Sequence, residues 1–380
     1  MKRVRLWVLP VVLLFALPTL LLAGSQVSNT IERAVAGATG HLYSLERIDP
    51  CSGSLSIGSA NGTTECGSWE WIAGDGSAPP NIQGVTAQGV LAGAMSSGQK
   101  HYVKTASPYL SIAAEDAANA IIERLDADPT LLPYSQSVEF LSALAKATGY
   151  APYQAKAEEY YGRVMAARPT GAENVAHYMV RDSLAGWDVA SQIRAALATN
   201  NDAYASEMVQ ALSSATWEGV PYGGTDYTEL SHGSLIWALA EISGSDWHDW
   251  EKTMSWSLLA SQEGDGSWQG DPQTSAYVLM GLSVAPNVPG RLTGTYGDLP
   301  QALANGAQYL LDSRDGEGVW GYQITDGTGT SEVVYPEVVG ECITALSMVP
   351  TGGLKLPSLS PSGHAGAAGA PLLAPAAPMR

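Results

Sequence analysis

Leu258-Leu259-Ala260-Ser261-Gln262-Glu263-Gly264-Asp265-Gly266-Ser267-Trp268, resumed after Pro272 by Thr274-Ser275-Ala276-Tyr277-Val278-Leu279-Met280-Gly281-Leu282, reads as one helix ending, a Gly/Trp turn, and a second helix beginning. The same grammar returns in Leu310-Leu311-Asp312-Ser313-Arg314-Asp315-Gly316, then Val319-Trp320-Gly321, then Gly340-Glu341-Cys342-Ile343-Thr344-Ala345-Leu346. Outward from these two stretches, the unit recurs six times. Helix pairs repeating at this period cannot bury their apolar faces alone and must stack on their neighbours. No segment carries convincing period-2 alternation, so the expected fold class is all-α.

The spacing predicts helices over about 29–47 with 83–95, 107–125 with 134–149, and 151–168 with 184–199. Three more pairs follow, over about 201–214 with 230–243, 246–262 with 272–285, and 299–313 with 336–349. Gly and Pro punctuate the joints, as at Pro133, Pro152, Pro169, Pro221, Pro272, Pro300 and Pro336. The second helix of each pair is rich in Ala, Gly and Leu, as in Leu141-Ser142-Ala143-Leu144-Ala145 and Arg194-Ala195-Ala196-Leu197, which suits the close approach of an inner ring. The first helix carries more charge, as in Ala157-Glu158-Glu159-Tyr160-Tyr161-Gly162-Arg163, which suits an outer, solvated ring.

The Gln262…Asp265-Gly266-Ser267-Trp268 turn followed by a small-residue helix resembles the repeats of the squalene-cyclase and prenyltransferase superfamily. The resemblance covers most of residues 29–350, is close in the fifth and sixth copies, and implies an (α/α)6 toroid. Such toroids also serve as polysaccharide lyases, thioester domains and vitamin carriers, so fold does not fix function. The catalytic hallmarks of the superfamily are missing. Asp126-Ala127-Asp128-Pro129 lacks the final carboxylate of a cyclase acid motif, Cys342 has no zinc-ligating partners in sight, and Gly340-Glu341-Cys342 does not supply a thioester motif.

The chain has 380 residues, 37 acidic against 19 basic, and a formal net charge of −18. Such a surface repels nucleic acid and anionic lipid, so neither is an expected partner. Two Phe stand against 11 Trp and 17 Tyr, so the aromatic side chains mostly carry a polar handle. Lys2, Arg3 and Arg5 precede an apolar run from Leu6 to Ala23, the layout of an export signal, cleaved or retained as an anchor. Ser25 stands where a lipidated cysteine would be. The expected organisation is a signal or anchor over 1–24, one toroid domain over 25–352, and a disordered Ala/Pro/Gly-rich tail over 353–380. A secreted or periplasmic site is expected. Cys51 and Cys66 flank a Gly/Ser/Thr-rich loop, where a bridge removes roughly 3 kcal/mol of unfolded-chain entropy. Cys342, in an apolar helical run, is expected to be a buried, inert thiol. Asn61-Gly62-Thr63 is a formal glycosylation sequon.

Aligning the second helices places their first-turn residues in columns. One column reads Gln83, Gln136, Val189 (or its neighbour Asp188), Ser231, Gln273 and Glu337; two residues earlier stand Asn81, Tyr134, Trp187, Glu229, Asp271 and Tyr335. Nearly all are polar or amphipathic aromatic, the side chains that grip sugar hydroxyls and stack on sugar faces, whereas one turn deeper the helices become apolar. They are expected to ring a polar cup, with plain helix capping as the competing reading. Glu337 and Glu341, an i,i+4 pair beside Tyr335, are candidates for an acid and a base, or else for salt bridges with Arg314 or Lys252. Further acid–base candidates are Asp226, Glu229 and His232 in the fourth copy, Asp271 and Tyr277 in the fifth, and Asp188 in the third. Arg181 is either a base or carboxylate clamp, or half of a structural Arg–Asp pair. No metal-ligand spacing, Walker loop or dinucleotide fingerprint stands out, so no metal or cofactor is expected. Together these residues point to an exported toroid that takes an oligosaccharide or other small molecule at its mouth, with lyase or hydrolase chemistry within reach. A non-catalytic scaffold and a lipid-acting cyclase relative are the alternatives.

Overall fold

The computed structural model describes residues 29–53, 55–96, 108–167, 186–214, 228–242, 248–285, 298–326 and 329–350. The expected export segment and tail, and the candidates Arg181 and Asp226, lie outside the described residues, as does the side chain of Asp188. Among the described residues there are twelve helices. The outer ones are α1 (29–44), α3 (Pro108–Ala127), α5 (Ala151–Ala167), α7 (Asp202–Ser214), α9 (His248–Ser261) and α11 (Leu299–Asp312). The inner ones are α2 (Pro80–Ser96), α4 (Ser135–Thr148), α6 (Gly186–Ala198), α8 (Thr228–Ala240), α10 (Pro272–Val284) and α12 (Pro336–Met348). Each inner helix packs against the next, and α12 returns to α2. The chain is therefore a closed (α/α)6 toroid, as the repeat implied.

Close approach of backbones sets the size of this ring. Gly89 of α2 lies against Gly340 of α12, and a methyl on either would fall inside the backbone of the other helix. Gly233 of α8 and Gly281 of α10 make a second seam of the same kind. Any larger side chain at these four positions would push the helices apart.

The Gly/Trp turns lock outer to inner helices by one repeated device. The indole N–H of Trp268 donates to the Leu258 carbonyl at 2.7 Å, that of Trp320 to Leu310 at 2.8 Å, and that of Trp69 to Leu42 at 2.9 Å. All three rings are fully buried, and each satisfies a carbonyl in the last turns of its outer helix. In the fifth copy the Gln262 amide donates to Gly266 O at 3.0 Å and to Ala302 O at 2.9 Å, tying that turn to α11 of the next copy. Asp265 Oδ1 accepts the Ser267 N–H at 2.9 Å, and Gly266 takes φ of 92°, so Asp-Gly here is a turn.

Two antiparallel ribbons interrupt the all-helical pattern: β1 (Arg47–Pro50) with β2 (Glu65–Ser68), and β3 (Gly321–Asp326) with β4 (Gly329–Val334). Neither is expected from the sequence, because strands of four to six residues are too short for an alternation to stand out. Cys51 and Cys66 are joined, and the loop they close lies along α3. There the Asn61 N–H donates to Glu115 at 2.8 Å, the Thr63 hydroxyl to Asp116 at 2.6 Å, the Gly53 N–H to Glu123 at 2.6 Å, and Ser56 to Asp126. The Asn61 side-chain amide, which a glycan would occupy, also donates to Glu115. Cys342 is fully buried. Among the described residues no helix is long and apolar enough to cross a membrane.

Two substitutions test the packing with opposite signs. Gly340→Val should lower unfolding stability by about 1–3 kcal/mol through overpacking at the seam. Gly162→Ala, on the open face of α5 where an added methyl meets nothing, should raise it by about 0.5–1 kcal/mol. Urea melts of both variants measure this. Replacing both Cys51 and Cys66 by Ser should cost about 2–4 kcal/mol in the same assay.

Candidate functional site

All six inner helices run the same way, so their N-termini gather at one mouth beside the ribbons and the Cys loop. Behind that mouth the bore narrows to a cavity of about 10 Å3, room for about one water. Each inner helix supplies a side chain to its wall: Gln88 from α2, Glu139 from α4, Arg194 from α6, Trp237 from α8, Tyr277 from α10 and Glu341 from α12.

The strongest interaction in the bore is an ion pair. Arg194 Nε donates to Glu139 Oε1 at 2.6 Å, and the two side chains are 5% and 6% exposed. The guanidinium carbon lies 3.9 Å from the centroid of the Trp237 ring, and Nη1 donates to the Ser234 hydroxyl at 3.3 Å. Burial pushes Glu139 up to about 7, against the pull of the Arg194 charge. Its Oε2 has no hydrogen-bond partner among the described residues.

Opposite stands Glu341, fully buried and raised well above the usual carboxylate range by burial and by the Glu337 charge one turn earlier. Tyr277 and Gln273 hydrogen-bond to it, while its Oε2 has no partner among the described residues. Burial and the same two carboxyls also hold the Tyr277 phenol above its ordinary value. Glu341, its carboxyl held well above the usual range, thus lines the same cavity as the Arg194–Glu139 pair. Such a set can donate a proton, accept one, and orient hydroxyl groups.

The first-turn residues are less uniform than the columns suggested. Gln136 lines the bore beside Glu139, Gln273 holds Glu341, and Glu337 is half-buried at the start of α12. Arg314 donates to the Leu311 carbonyl and Lys252 lies over the Trp256 ring. Gln83 turns away from the bore. Its amide donates to Trp69 O and Pro79 O and accepts the Trp69 N–H, so it clamps the first Trp turn. Asp271 caps α10 through the Thr274 N–H and accepts the Tyr322 hydroxyl at 2.8 Å. Tyr335 is buried edge-on between Trp71 and Tyr322, at 5.6 and 5.7 Å. Trp187 lies in the hydrophobic core, and Glu229, half-buried at the start of α8, accepts from Gln269 at 2.7 Å. His232 is buried, and desolvation lowers it to about 4.

Sequence reasoning passed over Glu139, Arg194 and Trp237. The available signal was a single charge inside an otherwise apolar stretch, as in Val138-Glu139-Phe140 and Ile193-Arg194-Ala195. Among the described residues, one group of metal-ligand types lies close together, Cys51, Cys66 and Glu123, and its two sulfurs are bonded to each other.

The buried acids set the pH dependence of folding. A carboxyl raised in the folded state keeps a proton that the unfolded chain has released, so its stabilisation is lost as pH climbs from about 4.5 towards the folded value. Glu139 loses it up to about 7 and Glu46, buried beside Asp116, up to about 9. His232 works the other way, between about 4 and 6.5, and its contribution is complete above that window. The unfolding midpoint should therefore fall between about pH 6.5 and 9. Glu46→Gln should flatten the upper part of the fall in melts run across that range.

No family model matches the chain, and no curated protein matches it. Among solved structures, the α-1,6-mannanase GH76A of Salegentibacter sp. HEL1_6 superposes with a TM-score of 0.52 at 10% identity, covering 84% of this chain and 98% of that one. An inactive variant of the same mannanase, with asparagine at two consecutive aspartates and α-1,6-mannotriose bound, superposes with a TM-score of 0.53 at the same identity and coverage. These enzymes share the (α/α)6 toroid; the narrower likeness to squalene cyclases is not what they display. At this identity the likeness establishes the architecture of the chain.

Proposed function

We propose that this chain is an exported protein that binds carbohydrate at the mouth of its toroid. The observation that carries the reading is the wall of the bore. Six helices converge an amide, an indole, a phenol, a guanidinium and two carboxyls on one opening, the groups that pair with sugar hydroxyls and stack on sugar rings. Support comes also from the same architecture in a mannanase that holds α-1,6-mannotriose, and from the Cys51–Cys66 disulfide, a bond that persists in oxidising compartments. A bore with room for one water admits no sugar unit to its depth, so the ligand rests end-on at the mouth, within reach of Gln136 and Glu337. A hydrocarbon substrate fits poorly, because an arginine and two glutamates stand where an apolar chamber would be needed.

Binding without turnover is the reading we favour. The mannanase variant is inactivated at two consecutive aspartates, and this sequence contains no Asp-Asp pair. A hydrolase or lyase remains the second reading, favoured by one specific feature: Glu341, raised well above the usual carboxylate range, and Glu139, paired with Arg194, line the same cavity.

One experiment separates the two. The full chain is screened on a glycan array that includes α-1,6-mannan, and each captured glycan is then incubated with the protein in a reducing-end assay. The expected outcome is retention without release of reducing ends, and retention weakened about tenfold or more in Gln136→Ala. Reducing ends that appear with the wild type and vanish in Glu341→Gln would establish the hydrolase instead. Silence on every glycan would remove the carbohydrate reading altogether.

A further inference from the structure

A second cavity lies outside the ring of inner helices, on the same end of the molecule. Its volume is about 210 Å3, some twenty times that of the bore. It opens between the C-terminal half of outer helix α3 and the first turns of α2 and α4. Ala120, Ile121 and Leu125 of α3 face Ala78 and Pro80 across it, so most of the wall is apolar. Into this wall is set one cation, the half-buried guanidinium of Arg124. Tyr134, 39% exposed, stands at the rim, and the buried Ser137 lies behind it.

The state of Arg124 is the informative observation. The basic side chains nearby are all taken: Lys156 pairs with Asp126 at 2.9 Å and Arg163 with Glu159 at 2.9 Å, and Arg194 is the buried partner of Glu139. Among the described residues, no carboxylate comes within salt-bridge distance of Arg124. The solvent-exposed Asp128 feels its charge but is itself engaged by the N–H and hydroxyl of Thr130. A chain with 37 acidic and 19 basic residues has carboxylates to spare, yet leaves this guanidinium facing a cavity. The remaining polar wall does not compete for it, because the Gln83 amide is consumed by Trp69 and Pro79.

We infer that this cavity is a binding site for a small carboxylate with a ring-sized body. The carboxylate pairs with the guanidinium through two parallel N–H···O bonds, the body lies between Ile121, Leu125 and Pro80, and one ring face meets Tyr134. The volume limits the body to about one ring, and a neutral molecule of the same size would leave the cation without a partner. The site stands on its own residues and does not depend on carbohydrate binding at the mouth of the toroid. Two kinds of ligand share this chemistry: a sugar acid, whose ring has one apolar face, and an aromatic or alicyclic acid, apolar throughout.

Isothermal titration calorimetry of the full chain tests the site with three probes at millimolar concentration: glucuronate, benzoate and glucose. Saturable one-to-one binding of glucuronate or benzoate, without binding of glucose, is expected, and the stronger of the two acids names the source. Arg124→Gln should weaken that binding at least about tenfold, with a thermal melt confirming that the variant folds. Ala120→Phe, which fills the cavity and leaves the charge in place, should abolish it. Failure of both acids to bind would overturn the site, as would glucose binding equal to theirs, or acid binding unchanged in Arg124→Gln.

Discussion

The contact between Gly89 and Gly340 is the constraint on which the molecule turns. It joins the first inner helix to the last, and only there does a row of helical hairpins become a ring. Because backbone meets backbone at this seam, and again between Gly233 and Gly281, the inner ring is tight and the cavity among its inner side chains holds about 10 Å3. The charged side chains pointing inward, Glu139, Arg194 and Glu341, are then buried. They must find one another.

That is what Arg194 and Glu139 do. Taking two charges out of water costs about as much as their attraction returns, so the pair adds little to net stability, whereas removing one partner leaves a buried charge uncompensated. Trp237 and Ser234 absorb the remaining faces of the guanidinium. Glu341 solves the same problem differently, through a raised affinity for its proton and hydrogen bonds with Tyr277 and Gln273. A wall built this way is rigid and prearranged, which suits a site that presents fixed groups to a visitor at its rim.

The toroid was legible in the sequence because its cause is local. Trp268 and Trp320 each sit ten residues beyond the carbonyl they bind, and the Gln-x-x-Asp-Gly-Ser-Trp string announces the turn by itself. The small residues of the second helices likewise announced close packing, and the seams deliver it. The site was less legible, because a lumen wall is assembled from helices far apart in the chain. Aligning helix starts found Gln136, Gln273 and Glu337, but the same logic swept up Gln83, whose partners are Trp69 and Pro79 in its own loop. The expectation that the helices turn apolar one turn deeper hid Glu139 and Arg194, which lie among Val, Phe, Ile and Ala. The ribbons were invisible for a simpler reason: strands of four and six residues are too short to show an alternation, even where one of them buries Tyr322.

The Gly89–Gly340 seam also has a consequence for how the protein is made. The two halves of the joint are separated by about two-thirds of the chain, so α2 is synthesised long before α12 exists. Until residue 348 has left the ribosome, the first hairpin carries a bare stripe of small residues, open to the equivalent stripe of another nascent copy. Ring closure thus requires α12, and a chain that ends before it has no internal partner with which to cover that stripe.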